Sequence, residues 1–472
     1  MPITLKFLGG VRTVTGSSHL ITTPTATILL DSGLFQGKRD LFYEINSAFT
    51  YKPRELDALI LSHAHIDHCG NIPSILKKGM RCKIYCTHAT RDLCKLMLED
   101  SGKIQEEDIK YVNKINKRLG LPPRAPLYTK NEAIKAAKRR FQTLSYNQRV
   151  GVAKNVWVQL CDAGHILGSA TVIVDAKDDE SHGGKSIRLG YAVDLGRKNL
   201  PLLNDPVCPT GLDYLMIEST YGGRVHAPIE EAKGKLLDTI KRTIERKGKI
   251  LIPAFTLERT QEVLYFLSQL IREKAMPPIP IYVDSPLASA ITEVFKYHDG
   301  YMNQQTQQAI SQGDSPFEFL NLRFIDDQQE SKSLNVDKRP MIIIAGSGMC
   351  ESGRILHHLH NNIEDSRNTI LVVGYMARDT LGRRIVEREK FVRIFGVEHQ
   401  LNAEVVVMNS FSAHADSNGL VEFVEQCMPL KQVFLVHGEE EQTQALFDSL
   451  KARGIPVSMP VKDQEVTLSP EG

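Results

Sequence analysis

LILSHAHIDHCGN (59–71) sets three histidines and an aspartate into six consecutive positions, directly after an apolar run. DALIL (57–61) reads as a buried strand, and the polar ligands begin where it ends. In α/β proteins functional groups collect at the carboxyl ends of strands. On such a loop His63 and His65 can turn two imidazoles on one ion, and Asp67 and His68 can serve a neighbouring one. Imidazole with carboxylate suits zinc, while manganese and iron accept the same donors. The plainer alternative is a polar turn that happens to hold histidines. It does not account for the density of ligand types here.

One short motif cannot close two coordination spheres, so other parts of the chain must contribute. The sequence repeats the same arrangement, an apolar run ending in one candidate ligand. ATILLDSG leads to Asp31, VWVQLCDAGHILGSA to His165, and IRLGYAVDLG to Asp194. YLMIESTYG leads to Glu218, EVVVMNSFSAHAD to His414, and QVFLVHGEE to His437. Each alone is an ordinary strand-end residue. Together with H-x-H-x-D-H they point to one polar centre at the mouth of an α/β fold.

The rest of the chain fits that class. Its 472 residues exceed one ordinary core and suggest two or three domains. A 42% hydrophobic and 24% charged composition is that of a soluble globular protein. The net charge of +2 neither announces a nucleic-acid binder nor excludes a local basic surface. Basic runs at 77–78, 138–140 and 382–384 read as solvated surface. Eight scattered cysteines and an N-terminus without a signal-peptide pattern predict free thiols in the cytoplasm. Cys82 and Cys86 alternate along a short strand and are not read as zinc ligands. No apolar run reaches the ~18 residues of a membrane helix.

Short apolar runs alternate with longer mixed segments throughout. Strands are predicted over 3–8, 20–21, 27–31, 57–62, 83–86, 156–160, 171–175 and 187–193. Helices are predicted near 87–100, 103–119 and 130–140. A second α/β unit runs from about 213 to 395, beginning with Tyr214 onward and including KILIPAF (249–255), IPIYVDS and PMIIIAGSG. After KILIPAF, Val263, Phe266, Leu267, Leu270 and Ile271 recur at helical spacing. The expected domains are therefore 1–212, 213–395 and 396–472.

These motifs resemble a known family. LLDSG, SHAHIDHCG, GHILGSA and AVDLG are similar to metal motifs one to four of the metallo-β-lactamase fold. IESTYG, FSAHAD and FLVHGE are similar to motifs A, B and C of its β-CASP branch, which includes the nuclease of the pre-mRNA cleavage and polyadenylation factor. The resemblance spans nearly the whole chain. It implies an αββα metallo-β-lactamase sandwich interrupted by an α/β β-CASP domain. Carried over by position, His63, His65 and His165 would bind one zinc, and Asp67, His68 and His437 the other. Asp194 would bridge both, and Asp31 would orient a ligand histidine. His414, with Glu218 beside it, would contact the scissile phosphate, and Asp67 would share in catalysis. Ser347 and Gly348, in IAGSGMCESGRI, would contact RNA at the entrance to the active cleft. PAFTLERTQE (253–262) and VDSPLA (283–288) also resemble signatures of the inserted domain.

The resemblance implies a two-zinc ribonuclease acting on single-stranded RNA, mainly endonucleolytic, that leaves 5′-phosphate and 3′-hydroxyl ends. The chain ends soon after motif C and shows no KH-like N-terminal extension. It therefore resembles the minimal bacterial form and is expected to be a monomer or weak homo-oligomer. His437 argues against the DNA-acting branch, which has valine at that place. The long inserted domain argues against a small ester or thioester substrate. A catalytically dead scaffold would have lost metal ligands, and this chain keeps them all.

Overall fold

The structure, a computed structural model, describes residues 2–37, 39–138, 140–178 and 186–469. Arg139 of the basic run at 138–140 lies outside them. The chain divides into two compact units, the first Met1–Lys198 with Asp205–Val225 and Ala413–Gly472, the second Asn199–Asn204 with His226–Ser412.

The first unit holds two seven-stranded sheets. One runs, in spatial order, Glu465–Leu468, Ile3–Gly9, Ser18–Thr22, Thr27–Leu30, Ala58–Ile60, Lys83–Cys86 and Phe141–Thr143. The other runs Val457–Ser458, Gln432–Val436, Tyr214–Glu218, Ser186–Ala192, Ala170–Lys177, Val156–Asp162 and Val150–Ala153. Their inner faces share one core, in which Leu5, Phe7, Ile28, Leu30 and Ile60 meet Val158, Val172, Leu189, Met216 and Phe434. Burying each such side chain contributes about 1.5–3 kcal/mol before chain entropy is counted. The outer face of the second sheet, including Leu215, Ile217 and Leu435, packs on Leu420, Val424, Leu446 and Leu450 of helices Ser417–Gln426 and Glu440–Ala452. Helices Ile72–Lys77, His88–Leu119 and Lys130–Ala137 lie on the side of the first sheet. This is the αββα order.

The second unit is built on six parallel strands, in the order Leu322–Phe324, Ile281–Val283, Ile342–Ala345, Ile250–Pro253, Thr369–Val372 and Glu404–Val407. The runs ILIP, IIIA and TILV are buried at every position. That is what a parallel sheet covered on both faces requires. Among the helices against it, Arg354–Asn362 and Leu381–Val386 supply Ile355, Leu359, Leu381 and Ile385 to its core.

Three expectations differ from the fold. The expected boundary at 212/213 falls at 225/226, because Tyr214–Glu218 pairs in parallel with Ser186–Ala192 and Gln432–Val436 of the first unit. The boundary at 395/396 falls at 412/413, because Glu404–Val407 completes the edge of the six-stranded sheet. The helices expected at 87–100 and 103–119 form one helix, His88–Leu119, capped at its start by the Thr87 hydroxyl and closed at Gly120. Ser101-Gly102 reads as a break, yet Gly102 is helical. A Cβ there would meet the Lys130 backbone at 2.9 Å, so the glycine serves the close approach of the next helix.

Candidate metal centre

The site residues of the first unit follow the ends of its strands. Asp31 follows Thr27–Leu30, His63 to His68 follow Ala58–Ile60, and His165 follows Val156–Asp162. Asp194 follows Ser186–Ala192, Glu218 ends Tyr214–Glu218, and His437 follows Gln432–Val436. His414 is pinned by a backbone bridge to Gly196. Asp31, Asp194 and His437 have left-handed backbones, with φ of 56°, 51° and 47°. Such conformations are uncommon for residues with a side chain and concentrate at functional sites. The glycine of LLDSG serves a close approach: a Cβ on Gly33 would overlap the Asp67 carbonyl at 1.6 Å.

Asp194 sits at the centre, buried, with one carboxylate oxygen toward each of two triads. Its Oδ2 lies 3.2 Å from His63 Nε2, 3.5 Å from His165 Nε2 and 3.9 Å from His65 Nδ1. Its Oδ1 lies 3.1 Å from His437 Nε2 and 3.5 Å from His68 Nε2. Asp67 Oδ2 is 3.7 Å from both of those histidine nitrogens. Within the first triad, His65 Nδ1 is 3.1 Å from His63 Nε2 and 3.3 Å from His165 Nε2. Nitrogens bonded at about 2.0–2.1 Å to a tetrahedral zinc stand roughly 3.3 Å apart. Ligand atoms of His63, His65, His165 and Asp194 converge on one point, and those of Asp67, His68, Asp194 and His437 on another.

The donor set fits a metal. His68 Nε2 and Asp194 Oδ1 are buried with no hydrogen-bond partner. Burial lowers the pKa of His63 to about 3 and that of His165 well below its ordinary value, which keeps both in the neutral form that can ligate. Burial also opposes charge on His68, but Asp194, Asp31 and Asp67 outweigh it and raise its pKa well above normal. A pocket whose carboxylates favour a positive charge against burial is one in which a divalent cation is stabilised.

Asp31 is hydrogen-bonded to this shell. Its Oδ2 takes hydrogen bonds of 2.7 Å with His68 Nδ1, 2.7 Å from Ser62 Oγ and 2.9 Å from Tyr191 Oη, while its Oδ1 accepts from the Ser62 N–H at 2.7 Å. Ser62 Oγ also meets His63 Nδ1 at 3.0 Å, and Ser17 Oγ meets Tyr191 Oη at 3.0 Å. Ser62 stands inside the SHAHIDHCG run, but Ser17 and Tyr191 have no distinguishing mark in the sequence. Tyr191 simply takes its place in a strand's alternation.

His414 Nδ1 lies 3.0 and 3.1 Å from the two oxygens of buried Glu218, whose Oε1 also accepts the Leu195 N–H. Burial lowers the His414 pKa, but the Glu218 charge and hydrogen bond prevail and raise it to about 9. Its ring lies 4.5 Å from that of His165. Ser347 and Gly348 belong to the second unit, after strand Ile342–Ala345, where Ser347 Oγ accepts the Glu351 and Ser352 N–H groups at 3.1 and 3.2 Å. Cys82, half-buried, precedes strand Lys83–Cys86, in which Cys86 is buried, and neither belongs to a convergent ligand group among the described residues.

Three family descriptions match the chain: the metallo-β-lactamase superfamily over residues 11–131, the Beta-Casp domain over 260–385, and the Zn-dependent metallo-hydrolase RNA specificity domain over 398–460. The chain is 36% identical to Ribonuclease TTHA0252 of Thermus thermophilus over 453 residues, covering 96% of each chain. It is 30% identical to the RNase J-like protein of Methanocaldococcus jannaschii, covering 98% of each, and 30% identical to transcription termination factor FttA of the same organism, covering 95% of this chain and 69% of that one. A solved structure from Enterococcus faecalis, described as a protein of unknown function, shares the fold with a TM-score of 0.56 at 14% identity, over 99% of this chain and 100% of that one. The converging ligands, the matched domains in order and the full-length similarity lead to one assignment: this chain belongs to the β-CASP ribonucleases of the metallo-β-lactamase superfamily.

Proposed function

We propose that this protein hydrolyses phosphodiester bonds of single-stranded RNA, mainly endonucleolytically, with two zinc ions held around Asp194. The observation that carries the reading is the Asp194 carboxylate, one oxygen at 3.1 Å from His437 and the other at 3.2 Å from His63. Bound there, two divalent cations would polarise the phosphoryl group and lower the pKa of the attacking water. His63, His65 and His165 would hold one ion, and Asp67, His68 and His437 the other.

The remaining steps belong to the chain itself. Asp67, 21% exposed, is the open carboxylate of the pocket and accepts the proton from the attacking water. Glu218 takes His414 Nδ1, so Nε2 is the nitrogen that can deliver a proton to the departing 3′-oxygen. The phosphate then stays on the 5′ side of the downstream product. The 2′-hydroxyl takes no part as nucleophile. The match to an RNA specificity domain and the ribonuclease relatives support RNA as substrate. Unpaired RNA exposes the base faces that a protein can hold.

The test is cleavage of a circular RNA carrying a single 2′-deoxy position, with metal content measured on the same preparation. The circle should open at the modified position as elsewhere, leave 5′-phosphate ends, and require about two zinc ions per chain. An unopened circle would reject the endonuclease reading. Cyclic phosphate ends would reject the hydrolytic mechanism.

A further inference from the structure

In the second unit three neighbouring parallel strands end at the same edge of the sheet: Ile342–Ala345, Ile250–Pro253 and Thr369–Val372. The loops that follow them carry Gly346-Ser347-Gly348, Ala254-Phe255-Thr256 and Gly374-Tyr375. The carboxyl edge of a parallel sheet is where α/β folds receive ligands. Phe255 stands there 40% exposed and Tyr375 43% exposed.

A lone exposed aromatic needs no explanation. Phe255 differs in how it is seated. A Cβ on Gly348 would meet its ring atoms Cδ2, Cγ and Cε2 at 2.7, 2.8 and 2.9 Å. A Cβ on Gly374 would meet Cε2 at 3.6 Å and Cδ2 at 3.8 Å. The ring thus packs directly against the Gly348 position, where a substituent would displace it, and its Cδ2–Cε2 side lies next to Gly374. The backbone of Phe255 is fixed as well, its carbonyl accepting the Thr260 N–H at 3.2 Å and the Thr260 hydroxyl at 2.8 Å. The result is an aromatic ring packed closely against backbone, with part of its area in solvent. An ordinary core phenylalanine would be covered, and an ordinary surface one would not be clamped.

We propose that Phe255 is a stacking platform for one unpaired nucleobase of the RNA substrate, seated against Gly348. The chemistry that matches a clamped neutral ring is the π-face of a base, which every nucleotide has, so the contact tolerates sequence. Gly348 then acts through the ring it supports, whether or not its own backbone touches phosphate. This inference rests on the reading of the protein as an RNA nuclease.

The experiment measures RNA binding by fluorescence anisotropy, in the full chain carrying Asp67→Ala so that the RNA survives. In that background Phe255→Ala should raise Kd for single-stranded RNA by roughly 5- to 150-fold, the range for one base–aromatic stack. Phe255→Trp should hold it within about threefold, because the π-surface remains. Gly348→Ala should weaken binding like Phe255→Ala, which keeps the test open if the latter misfolds by circular dichroism. With RNAs carrying one abasic nucleotide at successive positions, the parent should lose affinity at one position, and Phe255→Ala should lose nothing further there. The slope of affinity against salt should not change, since no phosphate contact is removed. If the parent binds RNA and Phe255→Ala matches it, the stacking role is overturned while the RNA reading stands. Equal losses on intact and abasic RNA would likewise overturn it. A parent that neither binds nor, as wild type, cleaves RNA would overturn both.

Discussion

Asp31 belongs to neither converging ligand group, yet its hydrogen bonds reach both. It bonds His68 directly and reaches His63 through Ser62, and the Tyr191 hydroxyl completes its set of donors. Removing that hydroxyl leaves Asp31 one donor short in a fully buried place. Tyr191→Phe should therefore cost about 1–2 kcal/mol of stability. It should also weaken metal retention roughly 10- to 100-fold, as losses behind a ligand histidine do. Competition with a chromophoric chelator measures the second effect, and unchanged retention would show that Ser62 alone suffices. His414 should behave differently. His414→Ala removes a proton donor and no ligand, so metal content should persist while cleavage falls by about 10²- to 10⁴-fold. Loss of metal in that variant would place His414 in the ligand shell instead. The contrast shows what the sequence reveals at this scale. The residues that converge on the pocket are legible because each follows an apolar run. Ser17 and Tyr191 are not, because their meaning lies in a contact between residues distant in sequence.

Among the elements, the buried strands were legible from their apolar runs, edge strands such as Phe141–Thr143 and Val150–Ala153 were not, and neither was the length of His88–Leu119, since a glycine in a helix reads as a stop until its neighbour is seen. The cluster His357, His358 and His360 shows the same limit. Helical spacing puts no more than two on one face. It does not say that His358 turns inward to Asp284 at 2.6 Å while His357 stays exposed. Asp284 joins three elements: it follows strand Ile281–Val283, accepts from Ser331 of helix Gln328–Val336 at 2.6 Å, and binds Arg354 and His358 of helix Arg354–Asn362 at 2.6 Å each. Burial raises its pKa, but these hydrogen bonds outweigh it and hold the carboxyl below its ordinary value. A depressed carboxyl contributes stability above its unfolded pKa, near 3.9, and loses it as pH falls through the folded value. Asp284→Asn should thus lower stability by about 1–3 kcal/mol at pH 7 and flatten the loss of stability below about pH 4. Urea unfolding followed across that range checks both parts. A parallel downward shift at every pH would mean that the carboxylate charge does not contribute.

Over the whole molecule, the candidate ligands of one pocket come from positions 63 to 437, so the first unit must bring both ends of its sequence together before either triad exists. The order of domains was legible because each motif carries its own chemistry. Their boundaries were not, because sheet membership of Tyr214–Glu218 and Glu404–Val407 is decided by pairing partners and not by local pattern. The same long-range closure makes metal binding a folding matter. Seven residues of the two triads and Asp194 aim their donors at common points, and the unfolded chain scatters them. Ions that bind only the folded state stabilise it by mass action, by about 4 kcal/mol at a free concentration a thousandfold above Kd. For a unit of this size that corresponds to about 7 °C in Tm. Stripping the protein with a chelator should lower the melting temperature of the first unit by that order, and added zinc should restore it without any RNA present. Hydrogen exchange locates the effect. Amides in Ala58–Ile60, Ser186–Ala192 and Gln432–Val436, the strands that end at the ligands, should lose protection on chelation. Those in Ile250–Pro253 and Ile342–Ala345 of the second unit should keep theirs, because no ligand follows them. If chelation leaves the first set unchanged, the pocket is preformed by its hydrogen bonds alone, and the metal adds chemistry without adding stability.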